Sequence, residues 1–166
     1  MKKIVFFLLL ILVVCGCTPC VPNNSATEHY RIWIYNNGNS DIYAESSYNY
    51  PDTAYHPLIS TLTSNQDFNK ICAQQANYLS MRDRWELIYD VNVHSDTLMI
   101  IITDAKLIEE GEYRYYDVQP YMILQRYYLS LEDLYFADWN IHYPPSASMR
   151  NMKMYPPYSS HHPEQY

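Results

Sequence analysis

The apolar positions in the middle of the chain form one nearly unbroken run, DTLMIIIT at residues 96–103. Because polar residues do not alternate with apolar ones, both faces of this strand are expected to be buried. Asp104, directly after the run, can cap a short helix that carries Leu107 and Ile108 and that Gly111 breaks. The pattern therefore predicts a central strand followed by a capped helix.

The first strand of the domain is predicted at residues 30–35 (YRIWIY), where β-branched and aromatic residues are frequent. Asn37 and Gly38 follow, and an Asn-Gly pair is the strongest short signal for a two-residue hairpin turn. Residues 41–48 form the return strand, and Pro51 ends it. The sequence thus predicts a β-hairpin at the start of the domain.

Residues 58–62 are predicted as a short strand, and a helix is predicted after Ser64, with Asp67 completing a capping pair. Apolar residues then recur at helical spacing: Phe68, Ile71, Cys72, Ala76 and Leu79. Cys72 would lie on the core-facing stripe of this helix. It is expected as a buried thiol, and a disulfide with Cys20 in an oxidising compartment is the alternative.

The C-terminal half adds further short elements. They are a helical turn at 113–116 that Pro120 stops, a strand at 121–129, a short helix capped by Ser130 and Asp133, and a last strand at 139–143. This order predicts a single α+β domain, with a mainly antiparallel sheet of about five strands and two or three helices. A β-sandwich is the alternative.

The composition supports one folded domain. The chain has 166 residues, of which 48% are hydrophobic and 19 are tyrosines. This is enough apolar material for a core, and the length suits one ordinary domain. The 3 glycines in the chain are too few to favour a phosphate-cradling loop.

The N-terminal residues have the pattern of a secretory signal peptide. Lys2 and Lys3 precede an apolar run at residues 4–14. This run is shorter than the roughly 20 apolar residues that cross a bilayer. Its length suits the apolar region of a signal peptide, which is about 7–15 residues long.

Three cysteines follow the apolar run, at positions Cys15, Cys17 and Cys20. The segment VCGC at residues 14–17 resembles a bacterial lipobox, with an aliphatic residue three positions before the cysteine and a small residue next to it. The resemblance implies that Cys17 becomes the lipid-bearing N-terminus after cleavage. A Cys-x-x-Cys metal or redox site is the alternative, but no second Cys/His pair stands at suitable spacing.

These features divide the chain into a signal peptide at 1–16, a lipid-anchored tether at 17–28, a globular domain at 29–145, and a Pro/Tyr/Met-rich arm at 146–166 with a disordered end. Removal of residues 1–16 takes away two lysines and no acid, so the formal charge changes from −7 to −9. An acidic domain argues against nucleic acid as a partner. Contact with the membrane would be made through the lipid anchor.

Four segments carry a family resemblance: NNGNSDIYAESSYNYPDT, DTLMIIITD, ILQRYYLSLEDLYFADWNIHYP and MKMYPPY. Together they resemble small uncharacterised lipoproteins of bacteroidete-type Gram-negative bacteria, over residues 29–158. The resemblance implies an envelope location, in the outer membrane, and the limits of the domain, and it implies no activity. The chain departs from the family pattern at Tyr113, where a tryptophan is expected.

Several acids and a histidine around the predicted central strand are candidates for acid–base chemistry: His94, Asp96, Asp104, Glu109, Glu110 and Glu112. Paired carboxylates across a cleft suit glycoside hydrolysis, so a small envelope hydrolase is one alternative function. The simpler interpretation is that His94 and Asp96 are turn residues and that the glutamates form a solvated face. We therefore predict no catalytic residue.

The C-terminal arm carries soft metal ligands: Met149, Met152, Met154, His161 and His162. Thioether and imidazole groups suit Cu(I), so copper binding is a second alternative. Methionine also fills irregular gaps at the edge of a core, which is the interpretation that we prefer. No metal and no other cofactor is predicted.

Many tyrosines are candidates for a recognition surface: Tyr30, Tyr35, Tyr43, Tyr48, Tyr50, Tyr113, Tyr115, Tyr116, Tyr127 and Tyr128. Tyrosine is enriched at recognition surfaces, and its ring also stacks on glycans. Cross-strand packing on a half-exposed sheet is the alternative. The sequence thus predicts a lipid-anchored, non-catalytic binding or scaffold protein of the bacterial envelope, with an envelope protein or a glycan as partner. It does not choose between the periplasmic and the surface face.

Overall fold

A computed structural model of the chain describes residues 28–53, 70–111 and 118–162. Its helices are α1 (Trp85–Val91), α2 (Ala105–Glu110) and α3 (Leu131–Phe136). Its strands are β1 (Arg31–Asn36), β2 (Ile42–Ser47), β3 (Lys70–Ile71), β4 (Ala76–Ser80), β5 (Leu98–Asp104), β6 (Ile123–Leu129), β7 (Asn140–Tyr143) and β8 (Lys153–Tyr155). The predicted signal peptide, Cys17, Cys20, the strand at 58–62, the helix start at 64–67 and the turn at 113–116 lie outside the described residues.

The larger sheet has the strand order β3-β2-β5-β6-β8, and all its described pairs are antiparallel. β5 is its middle strand, and its residues 98–103 are buried on both faces. The prediction of a central strand is therefore confirmed, as is the prediction of an α+β fold in a single domain.

A second, smaller sheet has the order β4-β1-β7. The main prediction had one sheet, and only the β-sandwich alternative had two. β1 pairs antiparallel with β4 and parallel with β7. The core lies between the two sheets, where Ile32 and Ile34 of β1 join Ile100 of β5 in one buried cluster. Trp85 of α1 and Leu134 of α3 complete that cluster.

The predicted β-hairpin is wrong, although both of its strands exist. β1 and β2 lie in different sheets, and neither Asn37 nor Gly38 has the positive φ that a two-residue hairpin turn of this kind requires. The buried side chain of Asn36 instead stabilises the segment between β1 and β2 through hydrogen bonds. Its Nδ2 donates to the carbonyl oxygens of Ser40 at 2.9 Å, Ile71 at 3.1 Å and Cys72 at 3.2 Å.

The predicted helix through residues 71–79 is also wrong, because this segment forms β3, a turn and β4. Gln74 has a φ of 60°, which reverses the chain between the two strands. β4 then pairs with β1 and places Leu79 opposite Ile32 in the core. Cys72 lies in the turn and is exposed, so the expectation of a buried thiol is wrong.

The predicted caps of the later helices are confirmed. Asp104 accepts a hydrogen bond from the backbone N–H of Leu107 at 3.1 Å and begins α2. Ser130 and Asp133 form a reciprocal capping box at the start of α3. After Pro120 the chain forms a single 3₁₀ turn, which leads into β6.

The globular unit extends beyond the predicted limit at residue 145. β8 follows β7 and pairs with β6, and the side chains of Met149 and Met152 are buried in the main core. Residues 158–160 form a 3₁₀ turn, so the predicted disorder is wrong for 159–162. Residues 163–166 lie outside the described part of the chain.

Within the described segments, none of the helices has the length and apolar character needed to cross a membrane.

Candidate binding surface

Alternation along β1 gives the smaller sheet two different faces. Ile32 and Ile34 are fully buried on the inner face, whereas Arg31, Trp33 and Tyr35 point to the outer face, where they are exposed or half-buried. The pairing of β1 with its two neighbours brings further side chains to this outer face.

Tyr78 of β4 lies opposite Trp33, with ring centroids 5.1 Å apart in an edge-to-face arrangement. On the other side, Asn140 lies opposite Trp33, and His142 lies opposite Tyr35 and stacks on it at 4.9 Å. The Arg31 guanidinium lies 4.4 Å from the centre of the Tyr78 ring. We call this set, Arg31, Trp33, Tyr35, Tyr78, Asn140 and His142, the aromatic face.

His142 is fixed in place on this face. Nδ2 of Asn37 lies 3.1 Å from Nδ1 of His142, and the two atoms share a hydrogen bond. Partial burial lowers the pKa of His142 below its ordinary value, so the neutral imidazole is favoured near neutral pH. The stacked Tyr35–His142 pair therefore presents flat, uncharged rings.

An open cleft of about 530 Å³ adjoins the aromatic face. Its lining residues come from the chain just before and within β1 and from the turn before β7: Glu28, His29, Tyr30, Arg31, Trp33, Asp138 and Trp139. Arg31 and Trp33 belong to both the cleft and the aromatic face. The two features thus form one continuous surface.

Asp138 and Trp139 have φ angles of 50° and 60°, a left-handed conformation that is uncommon for residues other than glycine. Such strain persists only where surrounding contacts enforce it. Here the N–H of Trp139 donates to the Leu134 carbonyl at 2.9 Å, and the Trp139 carbonyl accepts from the N–H of Trp33 at the same distance. The turn thereby fixes the Trp139 indole, 3% exposed, in the wall of the cleft.

His29 is held between this indole and a carboxylate. Its ring stacks on Trp139 with centroids 4.3 Å apart, and its Nδ1 lies 2.6 Å from Oε1 of Glu86. Because a carboxylate only accepts, Nδ1 carries the proton in this pair. Nε2 has no hydrogen-bond partner among the described residues, so it remains available to a ligand.

Glu86 is the centre of this support. Partial burial alone would raise its pKa, but hydrogen bonds from His29, from backbone N–H groups and from the Tyr135 hydroxyl outweigh burial and lower it. The Tyr135 hydroxyl donates to Oε1 at 3.1 Å. The ionised form of Glu86 is therefore stabilised in the folded protein.

Charges in the cleft are of both signs. Glu28 accepts from Arg84 at 3.0 Å and from the Tyr30 hydroxyl at 2.9 Å. Arg31 and Asp138, in contrast, form no ion pair, and their side chains no hydrogen bond, with any described residue. Within the described part of the chain, the cleft thus offers a cationic donor that contacts only the Tyr78 ring and an anionic acceptor without a partner.

The described candidates for acid–base chemistry lie elsewhere and have other roles. His94 is exposed, Asp96 adopts a positive φ in a turn, and Asp104 caps α2. Glu109 accepts from Lys70 at 2.6 Å and from the Tyr43 hydroxyl at 3.0 Å, and the Lys70 bond is the main reason that its pKa is lowered. Glu112 lies outside the described residues.

The candidate copper ligands of the alternative interpretation are also engaged elsewhere. Met149 and Met152 are buried, and Met154 packs against the same core. His161 shares a hydrogen bond of 2.8 Å with Gln125, and Nε2 of His162 donates to the Pro145 carbonyl at 2.9 Å. The described residues contain no group of three or more His, Cys, Asp or Glu side chains arranged to hold a metal.

Of the predicted tyrosines, Tyr30 and Tyr35 belong to the binding surface. Tyr127 is fully buried, which raises its pKa, and Tyr50 packs edge-to-face on Tyr128 away from the smaller sheet. Tyr113, Tyr115 and Tyr116 lie outside the described residues. Sequence reasoning missed several members of the surface: His29, Trp33, Tyr78, Asp138, Trp139 and His142. The alternation of Ile32 and Ile34 with Trp33 and Tyr35 was the signal for an aromatic outer face.

Comparisons with protein-family models, with curated proteins and with solved structures found no match for this chain. The candidate surface is therefore defined by its own geometry.

Proposed function

We propose that this protein is a lipid-anchored binding protein of the bacterial envelope. The observation that carries the binding function is the continuity of the aromatic face with the cleft. Half-exposed rings, free hydrogen-bonding groups and a rigid supporting strand occur together there, as they do in sites that recognise ligands.

The aromatic face has an unusual composition for the outer face of a sheet. An ordinary solvated sheet face carries polar side chains, yet Trp33, Tyr35 and Tyr78 are aromatic and lie side by side across two strands. Large rings supply contact area at a low cost in conformational entropy because few torsions become fixed. This composition favours binding over a purely structural role.

The anchor part of the proposal rests on the sequence before residue 28. Cys17 stands eleven positions before Glu28, and Glu28 lines the cleft. An extended chain spans at most about 3.6 Å per residue, so the cleft would lie within about 40 Å of the lipid. An anchor at Cys17 would thus keep the binding surface close to the membrane.

Replacement of Cys17 tests the anchor. Cells that express the wild type should incorporate labelled palmitate into the protein, and Cys17→Ala should abolish the label because the acceptor thiol is lost. Cys20→Ala is the matched control and should keep the label. Labelled Cys17→Ala protein would contradict the anchor.

Site-specific photo-crosslinking in intact cells tests the binding surface. A photoreactive phenylalanine analogue at Tyr78, which is 36% exposed on the aromatic face, should form adducts of higher mass. The same analogue at Tyr155, which is 62% exposed on the other sheet, is the control. Equal adduct patterns at both positions, or none at Tyr78, would contradict a binding role for this face.

A further inference from the structure

We infer that the ligand of this surface is a neutral oligosaccharide. The inference rests on the binding function proposed above and specifies its chemistry. Three properties of the surface carry it: the row of rings along β1, the free donor and acceptor in the cleft, and the balance of charge.

The rings follow one another along a single strand. Trp33 and Tyr35 are two residues apart on β1 and therefore about 6.6 Å apart. The His29 ring, stacked on the buried Trp139 indole, lies in the cleft at one end of this row, and His142 stacks on Tyr35 at the other. A sugar chain has apolar C–H faces at regular intervals, and such faces pack against flat rings. A row of rings suits a linear chain of sugars.

The polar groups beside the rings match hydroxyl chemistry. The Arg31 guanidinium can only donate and the Asp138 carboxylate can only accept. Neither has an ion-pair partner among the described residues, and Nε2 of His29 offers a further hydrogen-bonding group. A sugar hydroxyl both donates and accepts, so one neutral ligand can satisfy all of these groups.

The charges disfavour polyanions. The whole chain carries a formal charge of −7, and the described residues place no cluster of basic side chains along the cleft. Arg31 faces a surface that also contains Asp138 and the ion-paired Glu28. Nucleic acids and acidic polysaccharides need an excess of positive charge, which this surface does not provide.

An added peptide strand is also disfavoured at the nearest edge. β4 is the edge strand of the smaller sheet, next to the aromatic face. The backbone N–H of Tyr78 in its middle already donates to Oδ1 of Asn77 at 2.8 Å. A peptide that pairs with a sheet edge depends on free N–H groups there. The self-satisfied N–H at Tyr78 weakens that alternative.

The size and shape of the cleft also fit an oligosaccharide. A volume of about 530 Å³ lies within the usual range of ligand clefts, about 300–1,000 Å³. Because the cleft opens onto the aromatic face through Trp33, a chain of several sugars could start in the cleft and continue over Tyr35. The site would then prefer oligosaccharides to single sugars.

Retention on immobilised polysaccharides tests the inference. The full lipidated protein, in detergent micelles, is passed over neutral β-glucan, α-glucan, xylan and mannan, with polygalacturonate as the anionic probe. At least one neutral polysaccharide should retain the wild type, and its soluble oligosaccharide should compete. Trp33→Ala should weaken binding by about tenfold or more, equivalent to about 1.4 kcal/mol.

Two further variants separate binding from folding. Asp138→Asn keeps the size of the side chain, and asparagine also tolerates a positive φ. The fold should therefore be preserved while the negative charge of the acceptor is lost. The substitution should weaken retention, with an unchanged melting temperature. Tyr155→Ala removes a more exposed ring on the other sheet and should leave retention unchanged.

The inference would be overturned if no neutral polysaccharide retained the protein, if polygalacturonate alone did, or if Trp33→Ala and Asp138→Asn bound as the wild type does. Adducts at position 78 without polysaccharide retention would overturn the sugar ligand and leave the binding function intact. Absence of both adducts and retention would overturn both.

Discussion

Glu86 shows how single residues support the binding surface without lining it. The carboxylate accepts from His29 and Tyr135, whose rings pack edge-to-face on each other. His29 also stacks on Trp139, and Tyr135 meets the same indole edge-to-face. One ionised side chain therefore fixes three rings. No signal in the sequence points to Glu86, because its partner His29 lies 57 positions away.

The ionisation of Glu86 should make stability depend on pH. Since the folded-state pKa of Glu86 is lowered from 4.5, its stabilising contribution is complete above that value and is lost as the pH falls through the folded-state pKa. Glu86→Gln should therefore lose less stability than the wild type as the pH falls from neutral to below 4.5. Urea unfolding at several pH values measures this difference.

Glu110→Gln is the matched control, since Glu110 is an exposed glutamate on α2. It should keep the pH dependence of the wild type. A Glu86→Gln variant with the same pH dependence as the wild type would show that the hydrogen bonds around Glu86 do not favour its ionised form.

The helices and strands differ in how far local sequence determines them. α3 is determined locally, because Ser130 and Asp133 satisfy each other's backbone N–H groups within one turn, at 3.1 Å and 2.9 Å. β3 and β4 are not. Their apolar residues fit a helical period as well as a strand, and pairing with β1 and β2 decided between the two.

Loss of the cap should weaken α3 and with it the core. Ser130→Ala leaves the N–H of Asp133 without its acceptor, and we expect the free energy of unfolding to fall by about 1 kcal/mol. Thermal or urea unfolding measures the change. Ser159→Ala, in the 3₁₀ turn at Tyr158–Ser160, should change stability much less. Equal effects of the two substitutions would contradict a capping role.

At the scale of the whole molecule, the C-terminal segment is part of the core. β8 forms the edge of the larger sheet, and Met149 is fully buried with Ile34 and Ile141 in the main cluster. The N–H of His142 also points to the Met149 sulfur at 3.4 Å. The segment thus supports β7 and, through β7, the aromatic face.

Truncation of Met149 should therefore destabilise the whole domain. A large-to-small substitution at a buried site usually costs about 2–5 kcal/mol, so Met149→Ala should lower the free energy of unfolding by an amount in this range. Met154→Ala, at a half-buried position, should cost less. Denaturant unfolding of both variants compares the two losses of stability. A smaller loss for Met149→Ala than for Met154→Ala would contradict the place of Met149 in the core.

The sequence by itself determined the elements whose signals are local. The central strand β5 needed only its unbroken apolar run, and α2 and α3 needed only their caps, because the decisive contacts lie within a few residues. The α+β class followed from the order of these elements.

Only the tertiary structure decided which strands pair and which side chains meet. Asn37-Gly38 favours a hairpin locally, but β1 pairs more extensively with β4 and β7, and the buried Asn36 amide satisfies the backbone of the connection instead. The binding surface gathers residues from 28–35, from β4, and from β7 and the turn before it. Such a surface depends on non-local pairing, whose free energy comes from burying the inner faces of both sheets, and no short stretch of sequence contains it.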